Sequence, residues 1–263
     1  KMPNDYTLET YAKMVEALID HVSPEGKFHM IGHSHGAKVI YAMVEQGFSH
    51  AGWSGTVLGD MPPETPEGPK LRRAWRNRER PFSPSIETAV GRLENFLQGH
   101  GAPVDRDFII HDFNHGFAHY TREGFGWAYD PNSMTGYADE YLKPYDKLQA
   151  FQDMPPPMPL LAGEKSNTET PEAVQRMLDI RPDMSLMMYE GVGHYPELVT
   201  PKRINEVCNW IKNAATLSAP IRASVPADPQ KDMVLHIVQD NSPQAPVPQP
   251  QPAQKRNAPG NKF

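Results

Sequence analysis

The residues of this chain best suited to covalent chemistry lie in GHSHG, residues 32–36, where Ser34 stands between two histidines and two glycines. The short apolar run FHMI precedes this segment. A helical pattern from about His35 to Gln46 follows it, with Gly47 as its stop. A serine at such a strand-to-helix turn stands exposed above a sheet, and glycines at 32 and 36 are expected to relieve the crowding that larger side chains would meet. The helix start presents backbone N–H groups and a partial positive charge, so the His35 N–H is the expected oxyanion donor. A hydroxyl is a poor nucleophile near neutral pH and needs a positioned base. GVGHYP, residues 191–196, supplies His194 after a strand and a glycine loop and before a C-terminal helix. Serine nucleophile, imidazole base and backbone oxyanion donor are the parts of an acyl-transfer site.

The elements that must position these groups can be read from periodicity. Residues 6–22, YTLETYAKMVEALIDHV, carry apolar residues at helical spacing, with Asp5 or Thr7 available as a cap. Continuous apolar runs follow in GTVLGD (55–60), MPLLAG (158–163) and SLMMYE (185–190), the last two each followed by a loop and a helical pattern. This alternation predicts an α/β fold with a parallel sheet and flanking helices. Proline clusters MPPETPEGP and MPPPMP bracket residues 61–157, which are read as a mostly helical cap inserted in the sheet domain. The expected organisation is core at 1–60, cap at 61–157, core at 158–215 and a Pro-rich extended tail at 216–263, interrupted by MVLHIVQ (233–239).

GHSHG and GVGHYP, with serine first and histidine last, resemble the nucleophile elbow and histidine loop of the α/β-hydrolase superfamily, specifically its capped, esterase-like members. AHYTREGFGWAYDPN is similar to a segment of their lids. The resemblance covers residues 5 to about 215. It implies the α/β-hydrolase fold and hydrolysis of an ester or related acyl bond without cofactor or metal. Hydrolysis of a C–C bond in a β-ketone, or ligand reception without turnover, are the alternatives. The family's usual acid position corresponds here to Ser166, which cannot stabilise an imidazolium as a carboxylate does. A subset including haloalkane dehalogenases carries its acid at the end of the strand after the nucleophile helix. That strand here ends in Asp60, which is therefore the expected acid, with Glu164 and then Glu169 as alternatives. The resemblance also implies further strands before the nucleophile strand, along with the second oxyanion N–H. A missing N-terminal segment or a partner chain is expected to supply them.

The net charge of -6 does not favour nucleic acid or an anionic membrane surface, and no apolar run is long enough to span a membrane. A small-molecule substrate fits better. His33 is expected to line the substrate pocket. His111, His115 and His119 fall four apart, on one helical face, and are read as a solvated face of the lid rather than a metal site. RRAWRNRER, residues 72–80, reads as a solvated lid helix around Trp75, while Phe125 and Trp127 are expected in the lid's own core. The single cysteine, Cys208, falls on the apolar stripe of the last helix and is expected to be buried.

Overall fold

The computed structural model of the protein describes residues 6–23, 25–65, 83–99, 101, 105–121, 124–127, 133, 145–194, 201–214, 220–226 and 234–237. Helix α1 (Leu8–Val22) starts at Thr7, whose side chain accepts from the Thr10 N–H and satisfies one of the free donors of the first turn. Strand β1 (Phe28–His33), helix α2 (His35–Glu45) and strand β2 (Trp53–Gly59) follow. The core resumes with helix α5 (Leu148–Asp153), strand β7 (Pro159–Gly163), helix α6 (Pro171–Ile180), strand β8 (Ser185–Tyr189) and helix α7 (Pro201–Ala214). Strands β9 (Ile221–Val225) and β10 (Val234–Ile237) close the described chain.

These strands form one sheet in the order β1-β2-β7-β8-β9-β10, parallel through β9, with β10 antiparallel to it. Alternation along the central strands divides the core. Leu58 and Leu160 belong to one buried cluster with Ile40, Tyr41 and Met43 of α2 and Phe151 of α5. Val57 and Leu161 belong to another with Val207 and Trp210 of α7.

Between β2 and α5, the hairpin-like pair β3 (Glu64–Thr65) and β6 (Tyr145–Asp146) marks the neck of the insertion. Beyond it lie helices α3 (Ile86–Gly99) and α4 (Arg106–Asp112), a π-turn over Phe113–Phe117, and the antiparallel strands β4 (Ala118–Thr121) and β5 (Gly124–Trp127). Ala89, Val90, Ile109 and Phe113 form a cluster of their own, against which Phe125 packs. Residues 72–80, including Trp75, lie outside the described residues, as does the side chain of Trp127.

The structure corrects several expectations. The cap does not extend to residue 157, because α5 turns Ala150 and Phe151 into the main core. Nor does an extended tail begin at 216: β9 continues the sheet, burying Ile221 and Ala223 on alternate positions, and β10 pairs with it. His111, His115 and His119 do not share a helical face, since the π-turn ends the helix and His119 lies on β4. His111 and His115 stack at 4.0 Å and are exposed. Cys208 is exposed, because α7 turns Val207 and Trp210 inward instead.

Among the described residues β1 pairs only with β2, so it forms one edge of the sheet. Ile31 on this edge is 60% exposed, and Met14, Leu18 and Val22 of α1 are exposed as well. No described helix is long and apolar enough to cross a membrane.

Candidate active site

His33 at the end of β1 lies opposite Gly59 at the end of β2, so the register sets Ser34 and Asp60 side by side at the carboxyl edge of the sheet. Both leave their strands at positive φ, 51° and 47°. For residues with a Cβ this costs on the order of 1–3 kcal/mol each and requires the surroundings to fix the backbone. They do: the Ser34 N–H donates to the Gly59 carbonyl at 2.8 Å and the Asp60 N–H to the Leu161 carbonyl at 2.9 Å. A Cβ on Gly32 would stand 2.8 Å from the Ala37 nitrogen, so the tight turn requires glycine there. Gly36 faces open space, and the crowding expected at both glycines exists only at Gly32.

The third strand end contributes an imidazole. Past β8, the loop bearing His194 is held through its own backbone at Gly191, Val192 and Gly193. Gly191 N–H donates to Glu164 Oε2 at 2.7 Å, Lys165 N–H donates to the Val192 carbonyl at 2.8 Å, and Gly193 N–H donates to the Gly101 carbonyl of the insertion at 3.1 Å. His194 Nε2 then lies 2.8 Å from Ser34 Oγ, and Nδ1 lies 2.8 Å from Asp60 Oδ2. With a carboxylate at Nδ1, that nitrogen carries the proton and donates, leaving Nε2 to accept from the serine hydroxyl. Of the three carboxyls considered from sequence, Asp60 is the one hydrogen-bonded to His194. Glu164 is occupied in anchoring the loop.

Asp60 is fully buried. Burial pushes its carboxyl above the ordinary value, while the hydrogen bond and charge of His194, and the Ser166 hydroxyl, pull it back down. Ser166, at the position where an acid was looked for, uses its oxygen to accept from the Thr168 and Glu169 N–H groups, each at 3.1 Å. Glu169 is turned inward and fully buried, which its setting in the polar loop EKSNTET does not signal.

The flanking histidines divide between two structural tasks. His33 Nε2 donates to the His194 carbonyl at 2.7 Å, and the two rings lie 5.0 Å apart, so His33 braces the base-bearing loop from below. Burial lowers its pKa to about 4, keeping the ring neutral. His35 directs its ring edge-on toward Tyr11 of α1, with centroids 5.4 Å apart. Burial, aided by the Lys38 charge, lowers it to about 4 as well. Its backbone N–H lies directly after Ser34, in the first turn of α2. Among the described residues His33, Asp60 and His194 bring potential metal donors within 4.8 Å of one another. Both ring nitrogens of His194 already serve Ser34 and Asp60, and His33 Nε2 serves a carbonyl, so this donor set is better matched to a proton relay than to an ion.

Gly163 at the end of β7 offers a direct test of how tightly the base is held. A Cβ there would meet the Gly193 carbonyl oxygen at 2.0 Å. Gly163→Ala is therefore expected to displace His194 and lower kcat by about 100-fold, the scale of a displacement near 1 Å in a catalytic group. Circular dichroism should show the secondary structure retained; unchanged kcat would mean that the loop is not constrained by this contact.

A sequence profile of the alpha/beta hydrolase family matches residues 2–207. The chain belongs to the α/β hydrolase family. No curated protein sequence matches it. Among solved structures it is similar to an E-2-(acetamidomethylene)succinate hydrolase, with 20% identity and a TM-score of 0.63 over 79% of this chain and 74% of that one. An α/β hydrolase from Novosphingobium aromaticivorans has 20% identity and a TM-score of 0.61 over 81% and 74% of the two chains. A thermophilic esterase from Thermogutta terrifontis has 21% identity and a TM-score of 0.53 over 80% and 73%. At these identities the likeness establishes the shared fold.

Proposed function

We propose that this α/β hydrolase is a serine hydrolase that cleaves a carboxylic ester or related acyl bond through an acyl-enzyme. The observation that carries this reading is the unbroken chain from Ser34 Oγ through His194 to Asp60, with both links at 2.8 Å. Ser34 attacks the carbonyl carbon as His194 Nε2 takes the hydroxyl proton. The His35 N–H supports the oxyanion that forms. Collapse of the tetrahedral intermediate expels the alcohol, protonated by His194, and leaves the acyl group on Ser34. Water, deprotonated by the same imidazole, then releases the acid and restores the serine. Asp60 keeps the imidazole in the required tautomer and stabilises its charged form.

A short-chain activated ester and a fluorophosphonate probe test the scheme together. Hydrolysis with covalent labelling at Ser34 is the expected result, and binding of the ester without turnover would instead favour a ligand receptor on this fold. The exposed edge of β1, with Ile31 and the outer face of α1, supports a second element of the proposal: additional strands, from the same polypeptide or a partner, pair with β1 and supply the other oxyanion donor. Slow hydrogen exchange across Phe28–His33 in the complete protein is expected. Fast exchange at the outward amides would leave this edge bare.

A further inference from the structure

The bonds at Gly191, Val192 and Gly193 hold the histidine loop up to the residue before His194. His33 reaches His194 itself, with its Nε2 lying 2.7 Å from the His194 carbonyl oxygen. A carbonyl only accepts, so the His33 ring carries its proton on Nε2 and donates. Strand β2 leaves room for this ring. The residue opposite His33 in the register is Gly59, where a Cβ would stand in tight contact, 3.3 Å from the His33 Cα, Cβ and Cδ2 atoms. An apolar side chain would fill this half-buried strand end without needing a hydrogen-bond partner, so packing alone does not account for an imidazole.

We propose that His33 is a positioning residue for His194: by donating to the His194 carbonyl it sets that imidazole beside the serine that follows His33 in the chain. The chain order makes the tie specific. His33 ends β1 and Ser34 is the next residue, while His194 Nε2 lies 2.8 Å from Ser34 Oγ. His194 is thus joined to two consecutive residues, by its main chain to His33 and by its ring to Ser34. One strand end carries both the serine and the brace of its imidazole partner. The rings of His33 and His194 lie 5.0 Å apart and are tilted by 41°, so His33 packs beside the imidazole as well as holding its backbone. The effect on turnover rests on the serine-hydrolase reading, but the bond itself does not.

The tautomer of His33 gives a test that needs neither turnover nor a variant that folds. Burial lowers the pKa of this ring to about 4, so near neutral pH it is uncharged and holds a single proton. Nitrogen-15 NMR of the histidine side chains in the full chain, with the His33 ring assigned through its own backbone, should show that proton on Nε2. A proton on Nδ1 would leave Nε2 an acceptor facing an acceptor, and that result overturns the proposal.

Activity tests the positioning role. His33→Leu removes the donor at similar size and should lower kcat by about 30-fold with KM within about twofold, the scale of a small displacement in a catalytic group. His33→Gln returns an N–H near the place of Nε2 and should bring kcat back to within about threefold of the parent. The rate of fluorophosphonate labelling at Ser34 should fall and recover in step, with circular dichroism showing the secondary structure kept. Equal kcat in the parent and His33→Leu overturns positioning. So does a rise in KM at unchanged kcat, which would make His33 a wall of the substrate pocket, and so does an equal loss of kcat in both variants, which would assign the effect to the ring and not to the bond. Failure of fluorophosphonate to label Ser34 in the parent would strike the triad instead, with the tautomer of His33 still deciding the bond.

Discussion

Ser34→Ala is expected to remove ester hydrolysis almost completely, lowering kcat by about 10⁴-fold or more while leaving the unfolding midpoint at or above that of the parent. The loss follows from the place of the Ser34 hydroxyl as the hydrogen-bond partner of His194 Nε2 at 2.8 Å. The retained stability follows from the local structure. Ser34 is held at φ 51° and receives no side-chain capping bond at the start of α2, so its presence is explained by the hydroxyl and not by the turn. Alanine keeps the strain, whereas Ser34→Gly removes it and should be the more stable of the two by about 1 kcal/mol or more. The two variants separate chemistry from conformation: both are inactive, and only one relaxes. Retained turnover in either, or fluorophosphonate labelling at another residue, sinks the nucleophile assignment.

Asp60→Asn carries the second large effect. The amide is close in size but presents a neutral group to His194 Nδ1, which permits the wrong tautomer and withdraws the charge that stabilises an imidazolium. A fall of about 10³–10⁴-fold in kcat is expected, with modest change in KM. Glu164→Gln is the control, because Glu164 binds the Gly191 N–H and not the imidazole. It should weaken the loop by about 1–2 kcal/mol, as the loss of a charged hydrogen bond does, and leave most of the activity. If Glu164→Gln proves the more damaging to kcat, the acid must be reassigned.

Much of this arrangement was legible before any coordinates because its signals are local. The glycine-flanked serine, the strand preceding it and the helix after it occupy neighbouring positions in the chain, and short apolar runs reported β1, β2, β7 and β8 directly. Asp60 emerged from its place at a strand end. What escaped detection depends on direction in three dimensions. IRASV, with an arginine and a serine in five residues, looks like tail until β8 is beside it. The inward turn of Glu169 is imposed by the Ser166 hydroxyl, and its loop carries the composition of a solvated one. Cys208 and Val207 are consecutive on α7, and apolar periodicity alone did not decide which of them would face the sheet. The proline clusters did mark the insertion, but α5 belongs to the core because Phe151 fits against Tyr41, with centroids 6.4 Å apart, and not because of any break in composition.

The bond from the Gly193 N–H to the Gly101 carbonyl ties the residue before His194 to the insertion as well as to the sheet. On the other side the loop is held by Glu164, Lys165 and His33, all of the sheet domain. The insertion thus carries one of the contacts that set the place of the imidazole beside Ser34, so a change confined to it can be felt at the sheet's edge.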